Sequence, residues 1–251
     1  MNGSARVALI TGASRGIGAA TARLAAKKGY DVAVNYVANA EAAAGVVRDV
    51  EALGRRAVAI KGDVGREADI LAIFAAVDKA FGRIDALVNN AGAVGRIGRV
   101  ENVPGEMVRG VMDVNVTGAL LCAREAVKRM STKHGKQGGV IVNISSGAAT
   151  TGSPENYVWY AASKAALDAI TLGLGLEVAR EGIRVVGLQA GVTETDIHAT
   201  AGAPGRPQKM ADRIPIGRPA QPLEMAEAIL WLMSDAARYC TATTLRAGGG
   251  L

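Results

Sequence analysis

The sequence predicts an α/β protein, a Rossmann-like, doubly wound parallel sheet of about seven strands with helices on both faces. Three observations lead there. Short apolar runs alternate with helix-forming segments along the 251 residues. The runs are apolar at nearly every position, as in strands covered on both faces. The first run leads directly into a glycine-rich turn that opens a helix.

Val7-Ala8-Leu9-Ile10 anchors a strand over 6–11, and Thr11-Gly12-Ala13-Ser14-Arg15-Gly16-Ile17-Gly18 forms the turn. A helix over 16–28 follows and Gly29 closes it. Asp31-Val32-Ala33-Val34-Asn35-Tyr36 is the second strand, and a helix over 40–53 stops at Gly54. Ala57-Val58-Ala59-Ile60 is the third strand, with a helix over 67–81 capped by Gly82. The fourth strand is 84–88, and one long helix is expected over 106–131. Val140-Ile141-Val142-Asn143-Ile144 is the fifth strand, followed by a helix over 157–180 that ends at Gly182. Residues 183–188 are the sixth strand, 222–234 a helix, and 243–246 an edge strand. No linker breaks the alternation, so residues 1–251 read as one domain. The exception is 193–220, rich in Gly, Pro and polar residues after a strand end, where a substrate lid belongs. An ordinary surface loop is its alternative.

Composition narrows the function classes. Hydrophobic residues are 49% and aromatics 4% of the chain, which suits small-residue helices packed on a parallel sheet. No run approaches the roughly 20 apolar residues that span a bilayer. The first strand begins too early for a signal peptide, so a cytoplasmic, membrane-free protein is expected. Cys122 and Cys240 make no disulfide framework, and no Cys/His cluster has metal-ligand spacing, so no metal is expected. The net charge of +6 is scattered without a basic stripe, which argues against nucleic acid and for a solvated surface or the steering of a phosphorylated cofactor.

The turn is the first chemical motif. Its Gly-x-x-x-Gly-x-Gly spacing differs from the commonest dinucleotide fingerprint. Glycines admit a close ligand, and the free N–H groups at a helix start favour an anion. Ligand-free turns of similar composition are the alternative. The second motif is Tyr160-Ala161-Ala162-Ser163-Lys164. Four residues on a helix put Tyr160 and Lys164 on one face, about 6 Å apart along the axis. An ammonium there is expected to lower the phenol pKa and make an acid/base unit. A half-buried tyrosine beside a solvated lysine is the plain alternative. Tyr157 has Ala161 four residues on and is set aside.

Ser146, at the end of Asn143-Ile144-Ser145-Ser146, can bond a carbonyl oxygen whose charge develops. A turn or cap serine is its alternative. Asn89-Asn90-Ala91-Gly92 either brackets a ribose or pins neighbouring strands. Asn115, inside Val114-Asn115-Val116, either faces solvent or holds a buried network, and the network is the expectation.

Together with Asp63-Val64 and Gly248-Gly249-Gly250, these motifs resemble the single-domain short-chain dehydrogenases/reductases over nearly the whole chain. The resemblance implies an oxidoreductase with a tetrad of Asn115, Ser146, Tyr160 and Lys164. Tyr160 exchanges a proton with substrate, Lys164 lowers its pKa and binds the nicotinamide ribose, Ser146 orients the carbonyl, and Asn115 anchors a relay water. It also implies a cofactor set of Gly12, Ser14, Arg15, Gly16, Ile17, Gly18, Asn35, Asp63, Val64, Asn89, Ala91, Gly92, Val192 and Thr195, with Tyr160 and Lys164. The Asn-Ile-Ser-Ser alignment selects Ser146 over Ser145, although the interval to Tyr160 is one residue longer than in many relatives. Ala190-Gly191 replaces the usual Pro-Gly, and Arg246-Ala247 a common Val-Asp pair.

The second strand ends in Asn35-Tyr36 with no carboxylate to hold ribose hydroxyls, and Arg15 offers a cation. NADP is therefore the expected cofactor, with NAD possible; a merely solvated Arg15 is the alternative. A small-molecule alcohol or carbonyl substrate and a homotetramer complete the expectation. The rival functions are a nicotinamide-retaining isomerase or lyase and a non-catalytic nucleotide sensor.

Overall fold

A computed structural model describes residues 5–251; residues 1–4 of the expected 1–251 unit lie outside the described residues. Seven strands form one sheet: β1 (Val7–Ile10), β2 (Asp31–Tyr36), β3 (Ala57–Lys61), β4 (Ala86–Asn89), β5 (Gly139–Ser146), β6 (Ile183–Ala190) and β7 (Thr243–Ala247). Their order is β3-β2-β1-β4-β5-β6-β7, and every pair is parallel. The chain winds outward from β1 in one direction, then returns to place β4 on its other side. The switch point therefore lies between β1 and β4, where open α/β sheets hold their ligands.

The strands are apolar throughout because both faces are covered. Along β1, Ala8 and Ile10 join one core while Val7 and Leu9 join the other. The first core includes α1 (Gly16–Lys27), α2 (Ala40–Ala52) and, near the chain end, the Pro222–Met233 helix, through Ala22, Val46 and Ile229. The second includes α3 (Glu67–Phe81) through Ile73 and Phe74, and later helices through Cys122, Ala126 and Val178.

The long helix expected over 106–131 is three pieces: α4 (Gly105–Met112), a π-helical turn Asp113–Gly118, and α5 (Ala119–Met130). Gly118 ends the π turn against the Val64 segment, where a Cβ would stand 2.2 Å from the Val64 carbonyl oxygen, so a larger residue does not fit there. Such π turns often mark functional sites. A short α6 (Ala148–Thr151) precedes α7 (Val158–Val178). The 193–220 stretch contains α8 (Ile197–Thr200) and α9 (Arg206–Met210), the latter with Pro207 in its first turn, where proline's fixed φ fits. Then comes α10 (Pro222–Met233), started by a reciprocal cap between Gln221 and Glu224. Among the described residues, no helix is long and apolar enough to cross a membrane.

Candidate active site

The site grows from the ends of β1 and β4. Gly12 takes a left-handed φ of +62°, and a Cβ there would meet the Ala91 Cα at 3.0 Å. Gly18 is tighter still: its Cβ would stand 2.5 Å from Asn90 Nδ2 and 2.6 Å from the Gly12 carbonyl. These glycines let the two loops close on each other. Asn90 Nδ2 donates to the Thr11 and Gly12 carbonyls, and Thr11 Oγ1 accepts from the Asn90 and Ala91 N–H groups.

No side chain caps the start of α1, and its first turn holds no acidic residue. Its free N–H groups and positive dipole end suit an anion such as a pyrophosphate. Arg15 is exposed in this turn, 3.9 Å from Asp196. It borders a cleft of about 640 Å³ together with Gly92, Val94, Arg96, Met107 and Thr200. Thr195 reaches the turn as well, since a Cβ on Gly16 would lie 3.3 Å from its methyl. Ser14 and Ile17 belong to the same turn, and Val192 follows β6 just before the Thr193–Ala220 bridge.

Asn35 and Asn89 are brought to the site's floor, with their side-chain amides turned into the protein. Asn35 is buried; its Oδ1 accepts from Gly12 N, and its Nδ2 donates to the Ile60 and Gly62 carbonyls. Asn89 Nδ2 donates to the Ala119 carbonyl and to Asn143 Oδ1, which continues to Thr171. Both amides pin neighbouring segments. Asp63 Oδ1 accepts from Gly65 N, and Val64 is buried against the π turn.

Asn115 holds the buried network. It is 1% exposed; its Oδ1 accepts from Ala93 N at 2.8 Å, and its Nδ2 donates to the Ala93 carbonyl at 2.8 Å and Ser163 Oγ at 2.9 Å. It thereby ties the loop after β4 to α7, one residue before Lys164. A Cβ on Gly92 would lie 3.5 Å from Asn115 Oδ1 and 3.6 Å from Lys164 Nζ, so these three residues meet.

The two serines separate. Ser145 is buried and donates to the Lys164 carbonyl at 3.3 Å. Ser146 is half-buried; its Oγ accepts from Ala148 N at 3.2 Å, and its hydroxyl acts on the Tyr160 phenol. Lys164 is buried on the same face of α7; its Nζ donates to the Ile144 carbonyl at 2.7 Å and lies 5.7 Å from the Tyr160 ring centroid.

The electrostatics correct one expectation. Burial pushes the Tyr160 phenol up to about 12; Ser146 opposes this, and Tyr157 adds to it. Burial also brings Lys164 down to about 8, against the pull of Asp168. The phenol therefore lies above its ordinary value, where the spacing led to the expectation of a lowered one. The spacing put both groups on one face, and desolvation is the largest cause of the shift in each. Asp168, one turn beyond, accepts from Gln189 through Oδ2, while its buried Oδ1 has no hydrogen-bond partner among the described residues.

Three contributors were not legible beforehand. Tyr157, set aside in the sequence, stands edge-to-face with Tyr160 at 5.5 Å and 89°; its spacing of three from Tyr160 was the available signal. Trp159 Nε1 donates to the Val94 carbonyl at 2.8 Å and fixes the cleft wall. Arg206 comes from α9, and nothing in its local sequence points to the site.

Comparison with known proteins agrees with this geometry. The protein family described as enoyl-(acyl carrier protein) reductase matches residues 12–251. An uncharacterized oxidoreductase, YgfF, of Escherichia coli K12 is 48% identical over 97% of this chain and 99% of its own. A short-chain dehydrogenase of Burkholderia cenocepacia J2315, solved with NADP, superposes with a TM-score of 0.90 at 34% identity, covering 98% of this chain and 97% of its own. A 3-ketoacyl-(acyl-carrier-protein) reductase of Brucella melitensis, solved with NADH, gives the same score, identity and coverage. The chain thus belongs to the short-chain dehydrogenase/reductase family of oxidoreductases.

Proposed function

We propose that the chain is an NADP-dependent oxidoreductase acting on a secondary alcohol or its carbonyl counterpart, with Tyr160 as the acid/base. The observation that carries this reading is the Ser146 hydroxyl at the C-terminal edge of β5 acting on the Tyr160 phenol, with Lys164 Nζ 5.7 Å from the Tyr160 ring centroid. The nicotinamide cofactor supplies or accepts hydride at its C4 position. A phenol held near 12 carries its proton at neutrality but is a weak acid, so giving that proton to a carbonyl oxygen needs positive charge beside the ring, which Lys164 supplies. Ser146 orients that oxygen. Lys164 holds a ribose and contributes positive charge, and Asn115 keeps the 93 loop and α7 in register and anchors a relay water at the π turn. The glycine turn, with Asp63, Val64, Ala91, Gly92, Val192 and Thr195, holds the rest of the cofactor, and 193–220 is the substrate lid.

Preference for NADP rests on charge. Residues 34–38 at the end of β2 carry no carboxylate to repel a 2′-phosphate. Arg15 has only a long, exposed pairing with Asp196, which a phosphate can replace. The Burkholderia relative was solved with NADP, and the Brucella relative with NADH makes NAD the second cofactor. We assign the protein to the cytoplasm, which suits its two unpaired cysteines. We assign it as a homotetramer, because Leu120 on α5 and Leu172 and Leu176 on α7 leave apolar surface exposed.

The test follows reduced-cofactor absorbance over a panel of ketones and secondary alcohols with both cofactors. Turnover is expected with NADPH in excess of NADH, falling by about a hundredfold or more in Tyr160→Phe. Turnover that survives this change overturns the reading.

A further inference from the structure

The segment that leads into α7 is strained. Ser153 and Glu155, neither a glycine, take left-handed φ values of +45° and +62°. Such conformations persist where the surroundings over-determine them, and they cluster at functional sites. Here the restraints come from two directions. The stretch after β4 supplies Gly98, whose N–H donates to the Asn156 carbonyl at 2.8 Å, and Arg99, paired with Glu155 at 3.2 Å. The lid supplies Arg206. Its Nη1 donates to Asn156 Oδ1 at 3.0 Å, and its guanidinium carbon lies 5.1 Å over the Tyr157 ring. Tyr157 in turn stands edge-to-face with Tyr160. A single cation from α9 thus reaches the strained segment twice, and that segment abuts the acid/base ring.

We propose that Arg206 is a positioning residue that couples the seating of the 193–220 lid to the placement of Tyr160. The guanidinium suits both contacts at once, because its plane stacks on an aromatic face while its edge donates to an amide oxygen. A lysine ammonium keeps the charge and loses the plane. Arg206 touches no reacting atom; it acts through Asn156 and Tyr157. The kinetic consequence rests on the oxidoreductase reading, and the structural consequence does not.

Hydrogen exchange measured by mass spectrometry on the full chain tests the structural part. Arg206→Ala is expected to raise exchange over 153–160 by about tenfold while leaving the sheet amides unchanged. Tyr157→Leu, which removes the ring from the other side, is expected to do the same, and it decides the matter should Arg206→Ala unfold the chain as a whole. Kinetics test the coupling. Arg206→Ala is expected to lower kcat about tenfold with the KM for NADPH unchanged, and Arg206→Lys to recover less than half of the loss. Unchanged exchange over 153–160 in a folded Arg206→Ala chain overturns the proposal, as does an unchanged kcat. Absence of turnover in the parent chain defeats the oxidoreductase reading alone, and exchange still decides the clamp.

Discussion

Asn115→Ala separates the buried network from the rest of the site. The side chain is 1% exposed and makes three hydrogen bonds, two of them to the N–H and carbonyl of Ala93. Its removal leaves those two backbone groups without partners, while Ser163 Oγ keeps its bond to the Tyr160 carbonyl. An unpaired buried polar group costs about 1–3 kcal/mol. Ala93 is half-buried, so water partly replaces what is lost, and the two groups together cost about 2–4 kcal/mol. A domain with about 5–15 kcal/mol of stability survives this. Urea unfolding is the assay: the midpoint is expected to fall at an unchanged m-value. Asn115→Asp keeps the volume and the acceptor but turns a carboxylate toward the Ala93 carbonyl, so at neutral pH it should be no more stable than Asn115→Ala. Turnover should drop at least about tenfold in both, because Gly92 and Lys164 lose their common support. An Asn115→Ala chain within about 0.5 kcal/mol of the parent refutes the reasoning, since a loss that small belongs to an ordinary surface substitution.

Arg15→Ala should raise the KM for NADPH about tenfold and that for NADH less than about twofold, since only the phosphate loses a charged partner; equal effects on both cofactors count against the assignment. In the reducing direction, kcat/KM should fall as pH rises through about 8, where Lys164 gives up its proton while Tyr160 remains protonated up to about 12; a profile with no inflection between about pH 7 and 9 contradicts this. Light scattering should give the mass of four chains, and a monomer would mean that Leu120, Leu172 and Leu176 remain exposed to solvent.

Much of the architecture was written locally. The second strand and the 67–81 helix fall where their residues placed them, because an alternating core and a glycine cap leave little choice. The interruption of the 106–131 helix was not legible. It lies where Gly118 meets the Val64 carbonyl, a contact across more than fifty residues of sequence. The candidate site divides the same way. Tyr160 and Lys164 share a face because helical spacing is a local rule, and Asn115 was expected to hold a network because an amide inside an apolar run needs partners. The amides of Asn35 and Asn89 turn inward because each finds backbone carbonyls beside it to donate to, which no window of sequence displays. Arg206 reaches the site only through the path of the 193–220 stretch.

The pKa reversal follows from the same division. Spacing fixes which groups are neighbours, whereas ionisation depends on how much water all surrounding elements remove. Lys164 is 4% exposed; its Nζ donates to the Ile144 carbonyl, and Asp168 lends it electrostatic support. A buried ammonium so thinly compensated weakens the fold: its proton is disfavoured in the folded chain and held in the unfolded chain. Because the folded pKa is depressed, this group's contribution to stability is present above about 10.5 and lost as pH falls through about 8. Near neutrality the scaffold therefore carries a charge that opposes folding. The phenol beside it is held in its protonated form by the same desolvation. The same loss of water thus keeps the phenol protonated while it disfavours the ammonium one turn away.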